Sequence, residues 1–95
     1  MMTVLAVRHT VADYATWKTG YDNHGASRKE HGAIRDQVLQ SVEDPNNLLV
    51  LIEFESTADA KAFANDPALK EAMSTAGVIG APHISLRERT AEATY

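Results

Sequence analysis

The stretch from residue 48 to residue 54, LLVLIEF, decides the fold because it is apolar on both sides of a β-strand. Side chains alternate between the two faces of a sheet, so a strand with one face in water should alternate apolar and polar residues. This stretch has no polar residue before Glu53. We therefore expect both faces of the sheet to be covered at this strand, only one of them by the chain's own helices.

The segments around this strand predict the element order β-α-β-β-α-β. Four strands are predicted, at residues 3–9, 33–42, 48–54 and 83–89. The first helix is predicted over 14–31, with Asp13 as its N-cap and with Gly20 and Gly25 weakening it internally. The second helix is interrupted by the sequence NDP and restarts at Pro67, which suits the first position of a helix.

That order, with right-handed crossovers, predicts the ferredoxin-like α+β fold, a four-stranded antiparallel sheet of strand order 4-1-3-2 with two helices on one face. Approximate registers place one apolar set under the helices: Val4, Ala6, Leu48, Val50, Ile52, Phe54, Ile84 and Leu86. The opposite face then collects Leu5, Val7, Leu49 and Leu51, bordered by His9, Glu53, His83, Ser85 and Arg87. A second copy of the sheet is the simplest cover for that face, so we expect a homodimer formed through it.

Length and composition narrow the class of protein. The 95 residues suit one domain, residues 1–95. The net charge of −4 argues against a nucleic-acid partner and against an anionic membrane surface. The chain has no cysteine, which excludes disulfides and thiol nucleophiles. Its apolar opening is too short for a signal peptide or a membrane span, so a cytoplasmic protein is expected.

The first predicted helix carries half of the aromatic residues of the chain. Tyr14, Trp17, Tyr21, His24 and Arg28 follow one another at intervals of three and four, which places them on one helical face. One interpretation is that this face is simply the buried side of the helix. The other is that it forms the wall of a cleft between helix and sheet. The facing side of the second helix is mostly small, with Ala58, Ala62, Ala72 and Ala76 beside the larger Phe63, Leu69 and Met73.

Candidate chemistry follows from the histidines and from Arg28. Only histidine titrates near neutral pH unperturbed, so His9 or His24 is the candidate for proton transfer, and Arg28 could neutralise a developing enolate or phenolate. The predicted substrate-binding residues are Tyr14, Trp17, Tyr21, Phe54, Phe63, Met73 and His83. His9 and His83 are expected to be cross-strand neighbours, but no third ligand accompanies them, so no metal site is predicted.

Three segments carry a resemblance to known proteins. RHTVADYATWK (8–18), VEDPNNLLVLIEFES (42–56) and AGVIGAPH (76–83), in this element order, resemble the dimeric α+β barrel superfamily. Within it, the chain is similar to small bacterial proteins grouped with antibiotic biosynthesis monooxygenase-like domains, some of them labelled cyclases. The resemblance implies two sheets packed into a shared barrel, with a ligand cleft between helices and sheet in each subunit.

The resemblance also implies a range of activities, among them oxidation of polyketide aromatics without a cofactor and polyketide cyclisation. Oxidising and haem-degrading members use an Asn on the first strand and a Trp on the second helix, whereas this sequence has no Asn there and offers only Phe63. Those catalytic residues are therefore not carried over. Two hypotheses remain: an enzyme without bound cofactor that acts on an aromatic or polyketide-type compound, and a non-catalytic dimeric module that binds a small molecule or only packs.

Overall fold

The computed structural model describes residues 2–95 and has eight elements. They are β1 (Thr3–Val11), α1 (Tyr14–Asn23), α2 (Gly25–Glu30), β2 (Ala33–Gln40), β3 (Asn47–Phe54), α3 (Thr57–Asn65), α4 (Pro67–Thr75) and β4 (Val78–Glu88). The strands form one antiparallel sheet of order β2-β3-β1-β4, which is the predicted order counted from the other edge. The predicted ferredoxin-like α+β fold is confirmed.

The helix starts are determined by side-chain caps. The Asp13 carboxylate accepts a hydrogen bond from the backbone N–H of Thr16 at 2.9 Å and so begins α1. The Asp66 carboxylate accepts one from Ala68 N–H at 2.9 Å, and Pro67 occupies the first turn of α4. The single first helix predicted over 14–31 is wrong, because the chain leaves helical geometry at His24.

The sequence places the start of the last strand too late. β4 begins at Val78, five residues before the predicted start, and its pairing with β1 shifts register between Arg8 and Thr10. Gly80, with a φ of +71°, lies in the extra part of β4 and relieves the strain of that irregularity. A Gly-Ala-Pro sequence is typical of a loop, and here it is the bulged part of an edge strand.

The prediction of which β1 side chains point to the helices is also wrong. Leu5 pairs with Ile52 and Val7 with Val50, so Leu5 and Val7 lie on the helix side of the sheet, while Val4 and Ala6 lie on the other. β1 is apolar on both faces, and a one-residue slip therefore leaves its hydrophobic pattern almost unchanged. The core on the helix side comprises Leu5, Val7, Val11, Trp17, Leu48, Val50, Ile52, Phe54, Ala60 and Phe63.

We call the other side of the sheet the open face. Its residues include Arg35, Gln37 and Leu39 of β2, Leu49, Leu51 and Glu53 of β3, Val4, Ala6 and Arg8 of β1, and His83, Ser85 and Arg87 of β4. Leu49 and Leu51 are only half-buried, and Leu39 is 48% exposed. β3 is thus apolar on both sides.

No helix of residues 2–95 reaches the length and apolarity that crossing a membrane requires.

Candidate functional site

A cavity of about 50 Å³ lies between the helix side of the sheet and the helices α1 to α4. Seven of the predicted site residues line it: His9, Trp17, Tyr21, His24, Arg28, Phe63 and Met73. The other wall is made of small residues, with Gly20 on α1 facing Ala72 and Ala76 at the end of α4. The predicted combination of a bulky aromatic wall and an alanine-lined wall therefore does leave a void beside the sheet.

Aromatic and charged groups along one side of the cavity form a continuous column. The His9 ring meets the Trp17 ring edge-on at 5.6 Å between centroids, and Trp17 stacks on Tyr21 at 4.8 Å. The Arg28 guanidinium lies 3.6 Å above the Tyr21 ring centre, a cation–π contact. On its far side, Arg28 Nε is 3.3 Å from a carboxylate oxygen of Asp36. The column thus connects β1 to β2 across the helices.

His9 is the buried titratable group of this column. It is 7% exposed, and neither of its ring nitrogens has a hydrogen-bond partner within residues 2–95. Burial lowers the pKa of the His9 imidazole below its ordinary value of 6.5, because the charged form loses its hydration. At neutral pH the ring is therefore uncharged and keeps a lone pair that can accept a proton.

Regular alternation along β1 explains why His9 points to the helices, since it follows Leu5 and Val7 at intervals of two and pairs with Leu48 on the core side of β3. The register shift comes after the Arg8–His83 pair, and its extra residues lie in β4. The regular part of the β1–β4 register therefore places His83 opposite Arg8, on the open face. The predicted His9–His83 neighbour pair is therefore wrong, and His83 is not part of this site.

The Tyr21 hydroxyl is the second unsatisfied group at the cavity. It is buried without a hydrogen-bond partner within the described chain. Burial raises the pKa of this hydroxyl, the positive charge of Arg28 offsets part of the effect, and the nearby carboxylate of Asp36 adds to it. The group therefore remains protonated and can donate a hydrogen bond to a ligand oxygen. Unsatisfied buried polar atoms are rare in native structures, and two such side chains at one cavity indicate a place for a polar ligand or water.

Two other predicted residues lie beside the cavity without lining it. Tyr14 packs against Trp17 at 6.0 Å between ring centroids, outside the void. Phe54 is fully buried beneath Phe63, with the rings 5.7 Å apart, and so supports the floor. Within residues 2–95 no three side chains of His, Cys, Asp or Glu are grouped to hold a metal ion.

Sequence reasoning missed Asp36 and misplaced part of the small wall. Asp36 fixes Arg28, but as an exposed residue of β2 it has no local pattern that connects it to α2. Ala58 and Ala62 are exposed on the outer side of α3, whereas Ala60 is buried. The helix restarts at Pro67, which changes the side on which Ala72 and Ala76 lie relative to Ala58 and Ala62. A single helical period therefore cannot be extended across both segments.

Comparison with known proteins places this fold and cavity in a family. A ferredoxin-like sheet with a helix-side cavity defines the chain as a small α+β protein. The family model described as antibiotic biosynthesis monooxygenase matches residues 18–75, more than half of the sequence, and the chain belongs to that family. No curated protein matches it in sequence.

Solved structures from several bacteria share the fold. A candidate antibiotic biosynthesis monooxygenase from Bordetella bronchiseptica superposes with a TM-score of 0.80 at 12% identity, covering 95% of this chain and 98% of that one. One from Nitrosomonas europaea gives 0.74 at 21% identity, covering 94% and 90%. SnoaB, a cofactor-independent oxygenase from Streptomyces nogalater, gives 0.75 at 15% identity, covering 98% and 95%. At these identities the likeness establishes the fold alone.

Proposed function

We propose that the protein is a cofactor-independent enzyme of the monooxygenase or cyclase type, acting on a hydroxylated aromatic or polyketide-type small molecule. The observation that carries the proposal is the buried His9 imidazole, with both ring nitrogens unpartnered at the wall of an apolar cavity. Among residue types, a neutral imidazole is the natural acceptor for the proton of a phenol or enol near neutral pH.

The first step assigned to the site is a proton transfer. The O–H bond of the bound phenol or enol breaks, its proton moves to a ring nitrogen of His9, and the substrate keeps the electron pair as a phenolate or enolate. That charge makes the adjacent ring carbon nucleophilic. Such a carbon can react with O₂ in an oxygenation or with a carbonyl of the same molecule in a cyclisation, so this step is common to both activities.

Tyr21 and Arg28 have different assigned roles in this proposal. The Tyr21 hydroxyl can donate a hydrogen bond to the developing oxyanion, which is stronger for a charged acceptor than for a neutral one. Arg28 is held between Asp36 and the Tyr21 ring, so it positions that ring and contributes positive charge nearby. His24, at the α1–α2 junction, lines the opening and is a candidate for proton relay to water.

The size of the cavity requires that it widen for such a ligand. A benzene-sized molecule needs a cavity of about 150 Å³, roughly three times the volume found here. Met73 is the wall residue best suited to move, because it is flexible and only partly buried. We therefore expect the cleft to widen when a ligand binds, with the Met73 side of α4 as the wall that yields.

We also propose that the protein is a homodimer formed through the open face. Its apolar strip of Leu39, Leu49 and Leu51 is only partly covered by the chain's own residues. Burying side chains of this size contributes about 1.5–3 kcal/mol each before association costs. Sedimentation at micromolar concentration should give twice the chain mass of 10.4 kDa, and Leu51→Asp should give the monomer. A monodisperse wild-type monomer would contradict the pairing.

The enzymatic proposal is tested with His9→Gln, which keeps a polar side chain of similar size but cannot take a proton. We expect a screen of hydroxylated aromatics, followed by thermal shift and O₂ uptake or product formation, to identify a substrate. His9→Gln should still bind it but turn over at least about 100-fold more slowly. His31→Gln, which alters a histidine outside the cavity, is the matched control and should retain turnover. Binding without turnover in the wild type would support the alternative, a non-catalytic binding module.

A further inference from the structure

A second depression, of about 390 Å³, lies on the open face, on the side of the sheet away from His9. Its floor is made of the cross-strand pair Ala6 and Ser85, and Leu49 and Leu51 form one wall. Arg8 stands at one end of the depression and Arg87 at the other. The cross-strand partner of Arg8 is His83, and Arg87 lies four positions further along β4. Because strands rise about 3.4 Å per residue, the two ends are separated by roughly 13 Å along β4.

The charges around this depression do not balance. Glu53 is the only carboxylate on the open face in the described part of the chain, and it is bound by both Arg35 and Arg89. Within residues 2–95, Arg8 and Arg87 form no ion pair. Two guanidinium groups therefore share one carboxylate and two more have no carboxylate partner, on a chain whose net charge is −4. The positive charge is concentrated on the face that the proposed dimer would bury.

An isologous dimer makes this imbalance worse, because each copy meets the same face of the other. A second open face supplies two more unpaired guanidiniums and no free carboxylate. Burying charges without a counter-charge is strongly unfavourable, so pairing through this face alone would be opposed. A counter-charge must enter with the partner copy.

We infer that the paired sheets enclose a compact oxyanion of the phosphate, sulfate or carboxylate type, held by Arg8 and Arg87. Guanidinium groups match the planar, bidentate geometry of such anions. The ring of His83 and the hydroxyl of Ser85 line the same depression and add donors. The inference rests on the proposed homodimer, and it adds a site distinct from the cavity at His9, since the two lie on opposite sides of the sheet.

The test is sedimentation velocity of the full chain in sodium chloride and in inorganic phosphate at equal ionic strength and pH. We expect the dimer dissociation constant of the wild type to be lower by about tenfold or more in phosphate, as charge-assisted hydrogen bonds predict. The double variant Arg8→Met, Arg87→Met should dimerise without this dependence. A general salting-out effect of phosphate would tighten both proteins equally, and the double variant is the control for it.

The outcomes separate this inference from the proposal on which it rests. A wild type that dimerises equally well in both salts overturns the anion site and leaves the dimer intact. In that case the counter-charge would come from the exposed tail, and Glu92→Gln should weaken the dimer. A wild type and a double variant that both remain monomeric in both salts would overturn the pairing through the open face itself.

Discussion

The indole ring of Trp17 stacks on the phenol ring of Tyr21, with 4.8 Å between ring centroids and 24° between ring planes. Trp17 belongs to the hydrophobic core and is 2% exposed, yet it also lines the cavity. The two interpretations of the aromatic stripe, buried helix face and cleft wall, are thus compatible. The stripe fills the space beside the sheet and leaves a small void with two unsatisfied polar side chains at its edge.

Replacing Trp17 by alanine should test the core role of the stripe. We expect Trp17→Ala to lower the free energy of unfolding by about 3–5 kcal/mol, because a large buried ring is lost and its neighbours cannot fill the space. Trp17→Phe should cost less, since it keeps much of the buried area. Urea unfolding followed by circular dichroism measures both. A loss below about 1 kcal/mol for the alanine variant would show that the ring packs loosely and serves mainly as a wall.

Removing the Tyr21 hydroxyl should affect ligand binding more than stability. The oxygen has no hydrogen-bond partner within residues 2–95, so Tyr21→Phe removes a buried polar atom that costs free energy to desolvate. We expect the free energy of unfolding to stay the same or to rise by about 1 kcal/mol. Affinity for a hydroxylated aromatic, read from the thermal shift, should fall. A clear loss of stability would mean that the hydroxyl is bonded in solution and is not free for a ligand.

The pH dependence of folding should report the buried state of His9. The pKa of His9 is lowered in the folded protein, so between that value and 6.5 the unfolded chain binds more protons than the native one. The contribution of His9 to stability is therefore fully present above pH 6.5 and is lost as the pH falls through the folded-state pKa. Comparing urea midpoints of wild type and His9→Gln from pH 8 to pH 5 isolates this contribution. Equal slopes for the two proteins would contradict the burial of His9.

The contact between α1 and α4 should set the width of the cleft. A Cβ placed on Gly20 would lie 3.1 Å from the Cβ of Ala76, closer than the about 3.5–4.0 Å of a favourable contact. We expect Gly20→Ala to push the helices apart, at a cost of about 1–3 kcal/mol offset in part by its better helix propensity. Ala76→Gly in the same chain should relieve the crowding. A double-mutant cycle in urea measures the coupling, and strictly additive effects would argue against the contact.

Much of the fold could be predicted from the sequence because its signals are local. Asp13 begins a helix and Pro67 restarts one as predicted, and the apolar run at 48–54 is a strand that is apolar on both faces. The facing of β1 could not be predicted, since its residues are apolar on both sides and only pairing with β3 decides which set faces the core.

The candidate site could be predicted in part, because some of its signals are also local. The aromatic stripe and Arg28 follow from helical spacing, and seven of the ten predicted residues line the cavity. His83 was misplaced by one residue, because the register of β4 against β1 is set by long-range pairing that no local pattern reports. Asp36 was missed because its contact with Arg28 crosses from β2 to α2, and no periodicity within one element reports such a contact.

The most direct test of the central claim is the ¹⁵N spectrum of the His9 imidazole, recorded with and without a hydroxylated aromatic ligand and assigned by its loss in His9→Gln. We expect a neutral ring without hydrogen bonds at pH 7, and a shift of a ring nitrogen toward the protonated or hydrogen-bonded position when the ligand binds. A His9 signal that stays unchanged at saturating ligand would contradict the assignment of His9 as the group that receives the substrate proton.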